Sequence, residues 1–101
     1  MITHIVMWSF KNEASEDIKQ QNIQKFADML NALPACIQEI KYFEVGVKNS
    51  SSPQDSMDVV LISKFSSWSD LKAYAIHPEH QKVVAFAKEV IQERAVTDYE
   101  S

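Results

Sequence analysis

The chain has 101 residues, of which 46% are hydrophobic, and its formal net charge at pH 7 is −4. This length suits a single domain, residues 1–101, with a modest core, and the apolar residues are too many for disorder and too evenly spread for a membrane span. The ten basic residues are outnumbered by fourteen acidic ones and form no cluster, so we expect no nucleic-acid partner. No membrane partner is expected either.

Three further features of the composition restrict chemistry and location. Gly46 is the only glycine, which excludes the glycine-rich loops that bind phosphate groups. Cys36 is the only cysteine, so an internal disulfide and a cysteine-based zinc site are both excluded. The first residues lack the basic start and the small-residue cleavage site of a signal peptide, and a cytoplasmic location is therefore the expectation.

Four segments rich in β-branched and aromatic residues predict strands. They cover residues 2–10, 39–47, 57–65 and 95–99, and the polar segment 48–56 is predicted to be a loop between the second and third. Successive side chains of a strand point to opposite faces. One face of the first strand therefore carries His4, Val6, Trp8 and Phe10.

Two segments have apolar residues at helical spacing. Ser15 is a suitable cap for the first helix, and Pro34 follows its last turn. The inward stripe of this helix is Ile23, Phe26, Ala27, Leu30 and Leu33. The second helical region runs from residue 68 to about residue 92, with Ser67 or Ser69 as its cap, and it is interrupted at Pro78 because proline spoils a helix interior.

The resulting order, βαββαβ, predicts a ferredoxin-like α+β fold with a four-stranded antiparallel sheet and helices on one face. The opposite face is predicted to carry a second apolar surface, formed by Ile5, Met7, Phe43, Val45, Val60 and Ile62. A surface of this kind usually marks an interface. Two sheets packed face to face about a two-fold axis would cover it, so we expect a homodimeric α+β barrel.

The most informative segment for function surrounds Pro78. His80 falls in the first turn of the helix that begins there, in line with Val84, Ala87 and Ile91 on the predicted buried stripe. An imidazole on an inward face at the positive end of a helix tends to stay neutral, and a neutral imidazole can accept a proton. Tyr74 points inward from the preceding helix, and His4 lies on the covered face of the first strand. Together these groups could abstract a proton beside a carbonyl and stabilise the enolate.

Simpler roles account for the same residues. Each histidine alone can be a hydrogen-bonded core residue, and a hydrogen bond from Tyr74 to His80 would lock the break at Pro78. Trp8 can stack on an aromatic ligand or pack in the core. His77 lies three residues before His80, a spacing that metal sites use, but the proline between them disrupts the alignment, and no metal site is expected.

Several segments carry a resemblance to a known family. They are residues 4–11, Leu33-Pro34, residues 44–47, residues 58–62 with Phe65, Tyr74 with the His-Pro-Glu-His run at 77–80, and residues 98–100. Through them the chain resembles, over essentially its whole length, the stress-responsive α/β barrel (Dabb) domain family of small dimeric ferredoxin-like proteins. Within that family it is similar to the plant olivetolic acid cyclase-like proteins, which catalyse aldol cyclisation of a polyketide chain without a metal or organic cofactor in the chemistry.

The resemblance implies a pocket between the helices and the sheet. In it, His80 would act as the base, Tyr74 would polarise or orient the substrate, and His4 would line the cavity. The implied pocket walls are Val6, Phe26, Leu61, Ile76 and Val84. Phe26 departs from the cyclase branch, which has a tyrosine at this position.

A cation site is also implied, because some plant relatives hold a magnesium-like ion with main-chain oxygens at the positions of Leu30, Leu33 and Cys36. No side chain of this segment argues for such a site.

The sequence therefore predicts a small dimeric barrel protein with a pocket for a small aromatic or polyketide-like molecule. Two alternatives remain open. The first is a cofactor-independent cyclase, lyase or oxygenase that uses His80 as general base, and the second is a purely structural or stress-associated dimer. No cofactor is expected in any of these cases.

Overall fold

The computed structural model describes residues 1–13 and 15–101. Its strands are β1 (Ile2–Phe10), β2 (Tyr42–Val47), β3 (Val59–Phe65) and β4 (Ile91–Glu100). Its helices are α1 (Glu16–Asn31), α2 (Trp68–Ile76) and α3 (Pro78–Val90), and a short 3-10 turn (Leu33–Ala35) follows α1. The strands form one antiparallel sheet in the order β2-β3-β1-β4, which confirms the predicted ferredoxin-like βαββαβ fold.

The helices begin at residues whose side chains accept hydrogen bonds from the first free amides. Ser15 caps α1 by accepting from the amide of Ile18, and Ser67 caps α2 in the same way. The α2 helix ends before Pro78, and His77 caps α3 with its ring Nδ1, which accepts from the Glu79 amide at 3.1 Å. A serine cap typically contributes about 1 kcal/mol. The role of His77 is therefore to start the helix that carries His80.

The core lies between the helices and one face of the sheet. Alternate side chains of β1 point into it, as do the inward stripe of α1 and the alternate residues Val59, Leu61 and Phe65 of β3. Phe26 contributes the aromatic packing from α1. The centre of its ring lies 4.8 Å from that of Trp8 and 5.5 Å from that of Phe10. Among the described residues, no helix combines the length and the apolar content needed to cross a membrane.

The last strand is longer than the sequence predicts. Residues 95–99 were the expected range, whereas β4 begins at Ile91, directly after the last residue of α3, and pairs with β1 from Phe10 to Ile2. The physical reason is the free edge of β1. Its backbone groups need partners along their whole length, and a strand of matching length supplies them.

The placement of Phe43 and Val45 on the second apolar face is wrong. These residues pair opposite Ser63 and Leu61, both buried under the helices, and the Phe43 ring lies 6.4 Å from Tyr74. Alternation identifies residues that share a face, but strand pairing decides which face that is. The helix-free face is therefore formed at its centre by Ile5, Met7, Val60 and Ile62, and β2 contributes Tyr42, Glu44 and Gly46 to it.

Asp58 links the ends of the two central strands. Its buried carboxylate accepts a hydrogen bond from the Phe10 amide at 2.7 Å, and its own amide donates to the Trp8 carbonyl at 2.8 Å. Lys48 lies 3.5 Å from the same carboxylate and offsets its charge. The contact holds β1, and with it the cavity floor described below, in register with β3.

Candidate functional site

A cavity of about 270 Å³ lies between the sheet and the helices α1 and α3. Most of its walls are apolar, and they include Val6, Trp8, Phe26, Leu30, Leu61 and Val84. Its polar groups are His4, Tyr74 and His80, with Lys88 and Arg94 at the α3 and β4 side. The volume corresponds to about nine waters at about 30 Å³ each, which is enough for a small aromatic molecule.

The fold brings together the three residues proposed as catalytic groups, although they come from three different elements. The rings of Tyr74 and His80 have their centres 4.5 Å apart, and those of His4 and Tyr74 lie 6.1 Å apart. The break at Pro78 lets the end of α2 and the start of α3 place Tyr74 and His80 side by side.

Four of the five predicted wall residues line this cavity, namely Val6, Phe26, Leu61 and Val84. Ile76 does not, and this prediction is wrong: its side chain is 67% exposed. The reason is helix phase. Ile76 follows Tyr74 by two residues, which is about 200° around the helix, so the two side chains point in nearly opposite directions.

The predicted stripe of α3 forms the cavity wall instead of a closed core. His80, Val84, Ala87 and Ile91 all line the cavity and are partly exposed, whereas the buried residues of α3 are Val83 and Val90. The alignment inferred from the sequence is therefore present, but it borders a space that a ligand can enter.

The hydrogen bond of His80 determines its tautomer. Its Nδ1 lies 2.9 Å from the carbonyl oxygen of Ala75. A carbonyl can only accept, so Nδ1 carries the hydrogen, and in the neutral ring Nε2 has a free lone pair. Burial lowers the pKa of His80 below its usual 6.5, the Ala75 hydrogen bond opposes this shift, and the charge of Arg94 adds to it. The ring is thus favoured in its proton-accepting form at neutral pH.

Tyr74 is buried, with 1% of its surface exposed, and burial raises the pKa of its hydroxyl. No hydrogen-bond partner for this hydroxyl is present in the described part of the chain. The hydrogen bond from Tyr74 to His80, which was one of the simpler roles considered for these residues, is thus not formed, and the two rings meet at a tilt of 45°. The hydroxyl stays protonated, and its oxygen is buried although Tyr74 lines the cavity.

His4 is oriented by a carboxylate that sequence reasoning missed. Its Nδ1 donates to Oδ1 of Asp98, which lies opposite it across the β1–β4 pairing. The neutral ring then has its Nε2 lone pair free. The sequence shows that Asp98 lies in a strand, but only the pairing register places it beside His4. Lys88 and Arg94 were also missed. Lys88 lies one helical turn after Val84 but belongs to no motif, and Arg94 joins the cavity only through its pairing opposite Trp8.

Nothing in the described residues adds support for a cation site. They contain no group of three or more histidine, cysteine or acidic side chains placed to hold a metal ion. At the end of α1, the Leu33 carbonyl accepts from the amides of Cys36 and Ile37 at 2.9 and 3.0 Å. Two donors already engage this oxygen, so the main-chain site considered at Leu30, Leu33 and Cys36 lacks one of its free ligands.

The fold and the cavity define a class: a ferredoxin-like α+β domain with a helix-covered cavity and an open sheet face. The chain belongs to the family described as stress responsive A/B barrel domain, whose profile matches residues 2–101. Comparison with curated protein sequences finds no significant match.

Solved structures agree with this assignment. A dimeric ferredoxin-like protein of unknown function from Bacteroides fragilis is 32% identical, with a TM-score of 0.89, and the match covers 99% of this chain and 95% of that one. A dimeric ferredoxin-like protein of unknown function from Thermobifida fusca is 20% identical, with a TM-score of 0.82 and coverage of 99% and 90%. A hydroxynitrile lyase from Passiflora edulis shares the fold at 18% identity, with a TM-score of 0.78 and coverage of 97% and 90%.

Proposed function

We propose that this protein binds a small, largely apolar molecule, aromatic or polyketide-like, in the cavity between the sheet and the helices. The observation that carries the proposal is the convergence of His4, Tyr74 and His80 on one apolar cavity of about 270 Å³. Ligand sites typically combine apolar walls with a few polar groups that orient the ligand. Here the Tyr74 hydroxyl, which has no partner within the described residues, gains a hydrogen bond when a ligand carbonyl accepts from it.

A second candidate function is cofactor-independent catalysis of proton transfer, and the tautomer of His80 favours it. With Nδ1 donating to Ala75, Nε2 can take a proton from a carbon beside a ligand carbonyl. The electron pair moves into the carbonyl to give an enolate, whose oxygen accepts a hydrogen bond from Tyr74. In a cyclisation, the enolate carbon then bonds to a second carbonyl carbon of the same molecule, and the alkoxide formed takes the proton back from His80.

This chemistry needs a base, a donor and a closed apolar space, and it needs no metal or organic cofactor. It agrees with the resemblance to the cyclase-like proteins, and the hydroxynitrile lyase from Passiflora edulis is an enzyme on the same fold. Phe26 removes one hydroxyl from the wall relative to the cyclase branch. The substrate of this chain is therefore expected to make fewer hydrogen bonds on the α1 side.

The experiment begins with a thermal-shift screen of small aromatic ketones and polyketide-like acids, followed by turnover assays on each compound that binds. If His80 is the base, His80→Gln should lower turnover by about 10²–10⁴-fold, the usual contribution of general-base catalysis. His77→Asn is the matched control, because His77 lies outside the cavity lining and asparagine also caps helices well. Full turnover in His80→Gln would exclude His80 as the general base. Destabilisation by His80→Gln without binding of any compound would favour the purely structural role.

We also propose that the chain forms a homodimer through the helix-free face. Ile5, Val60 and Ile62 are only half-buried there, and Met7 is 40% exposed, so a second sheet would cover them. The Bacteroides fragilis protein, which is 32% identical, is dimeric, and this supports a dimer for this chain. Obligate interfaces commonly bury more than about 2,000 Å² in total.

Light scattering on a sizing column tests the dimer, since one chain has a mass of 11.6 kDa. Val60→Lys places a charge in the centre of the proposed interface and should give monomer or aggregate. Ile76→Lys is the control, because it makes a similar change at an exposed site on the helical side, and it should remain dimeric. A monomeric mass for the wild-type chain at micromolar concentration would exclude the barrel.

A further inference from the structure

The charges around the cavity are unlike those of the chain as a whole. The chain has a net charge of −4 and fourteen acidic residues. None of these acidic residues is among the described residues that line the cavity, whereas Lys88 and Arg94 both are. The carboxylate of Asp98, which lies on the same face of β4 as Arg94, is engaged by His4. The cavity therefore presents a positive side in a negatively charged protein.

Arg94 is the more informative of the two cations. Lys88 lies in the last turn of α3, where a positive charge is favourable near the free carbonyls of the helix end. Arg94 is exposed and lies in β4, so no helix end accounts for its charge. In the described part of the chain it forms no ion pair, no side-chain hydrogen bond and no cation–π contact. An arginine whose donors are all unused can still bind an anion without giving up a protein contact.

Arg94 lines the same cavity as the residues of the proposed site. It pairs opposite Trp8 across β1 and β4, on the helix-covered side of the sheet. Its charge also acts on a polar group of the cavity. Burial raises the pKa of Tyr74, and the positive charge of Arg94 opposes that rise. The planar guanidinium can form two parallel hydrogen bonds to a carboxylate, a geometry that lysine cannot supply.

We infer that the ligand of this cavity is a small carboxylate, with an apolar or aromatic body against Trp8 and Phe26 and its negative group bound by Arg94. This inference rests on the proposed binding function and specifies its ligand class. The carboxylate sits at the β4 side, and the body of the molecule extends toward Tyr74 and His80. A neutral molecule of the same shape fills the same space but makes no ion pair.

The test compares 4-ethylbenzoate with 4-ethylbenzamide, which have the same number of non-hydrogen atoms and differ in charge. Binding is measured by calorimetry or by NMR titration of wild-type protein, Arg94→Gln and Arg94→Lys. We expect the benzoate to bind more tightly than the benzamide. Arg94→Gln should weaken benzoate binding by about tenfold and leave benzamide binding nearly unchanged. Arg94→Lys should retain part of the preference, because it keeps the charge and loses the paired hydrogen bonds.

Two controls separate this effect from general electrostatics. Lys72→Gln removes the same charge from an exposed position of α2 outside the cavity lining, and it should not change either affinity. Raising the salt concentration from about 50 to about 500 mM should weaken binding of the benzoate alone, because salt screens partly exposed ion pairs. The salt test uses wild-type protein, so it stands even if Arg94→Gln fails to fold.

The possible results distinguish the two proposals. Equal affinity for the benzoate and the benzamide, with no effect of Arg94→Gln or of salt, would refute the ligand class and retain the binding function. Equal weakening of both compounds in Arg94→Gln would assign Arg94 a structural role and also refute the inference. If neither compound binds to wild-type protein while the thermal-shift screen finds a neutral ketone that does, the ligand class is refuted and the binding function is retained. If the screen also finds no ligand, both proposals are wrong.

Discussion

Replacing Tyr74 by phenylalanine should make the ligand-free protein more stable and make it a weaker binder. The hydroxyl of Tyr74 is buried, and none of the described groups forms a hydrogen bond with it. A buried polar group without a partner costs about 1–3 kcal/mol. Phenylalanine removes that group and keeps the ring, whose neighbours are His80 at 4.5 Å and Phe65 at 5.0 Å between ring centres.

The expected change in the free energy of unfolding follows from the contacts that Tyr74→Phe leaves unchanged. The ring contacts remain, so the cavity term that makes removal of a buried aromatic side chain cost about 3–5 kcal/mol does not arise. The lower end of the range for an unpaired polar group then applies, and we expect the free energy of unfolding to rise by about 1 kcal/mol. For a domain of this size, that corresponds to an increase in Tm of about 4–8 °C.

Urea unfolding at one fixed protein concentration measures the change, because the stability of a dimer depends on concentration. Ser67→Ala is the control with the opposite expected sign. The Ser67 hydroxyl accepts from the amide of Asp70 at 3.1 Å and caps α2, so its removal should lower the free energy of unfolding by about 1 kcal/mol. A lower urea midpoint for Tyr74→Phe would show that the hydroxyl has a partner in the folded protein, and the reasoning would be refuted.

The same variant connects stability to the proposed function. If Tyr74 donates to a ligand carbonyl, Tyr74→Phe should weaken binding of aromatic ketones by several-fold to about tenfold, since a single hydrogen bond contributes about 0.5–1.5 kcal/mol. A gain in stability together with a loss of affinity is typical of a polar group kept for binding. Unchanged affinity would mean that Tyr74 contributes only its ring.

Two further predictions concern His80 and Asp58. Burial lowers the pKa of His80 below its usual 6.5. Between the folded pKa and pH 6.5 the unfolded chain therefore binds more protons, and the free energy of unfolding should rise with pH across that window. Urea midpoints at several pH values should rise less steeply for His80→Gln than for the wild type, and equal slopes would contradict the lowered pKa of His80. Asp58→Ala should lower the free energy of unfolding by about 2–3 kcal/mol, because the Phe10 amide loses a charged acceptor at 2.7 Å. Ordinary surface substitutions cost less than about 0.5 kcal/mol, and a loss that small would show that water replaces the carboxylate.

The periodicity of the chain was sufficient to predict the elements and their order, whereas most of the cavity wall was implied by the resemblance to the cyclase-like proteins. The alternation of β1 placed His4, Val6 and Trp8 on one face, and the break at Pro78 placed His80 in the first turn of α3. These features are local, since they depend on residues within a few positions of one another and on proline having no amide hydrogen to donate. Local patterns of this kind are readable without knowledge of the fold.

Strand pairing and helix phase decided the rest. The alternation of β2 groups Phe43 with Val45, but only the register with β3 turns that group toward the helices, since a shift of one residue reverses every side chain of a strand. Asp98 and Arg94 join the site through the register of β4 with β1, over more than 80 intervening residues. The sequence determined which residues could do chemistry. Tertiary pairing decided which of them meet, because contacts between distant segments depend on the packing of the whole chain and not on local periodicity.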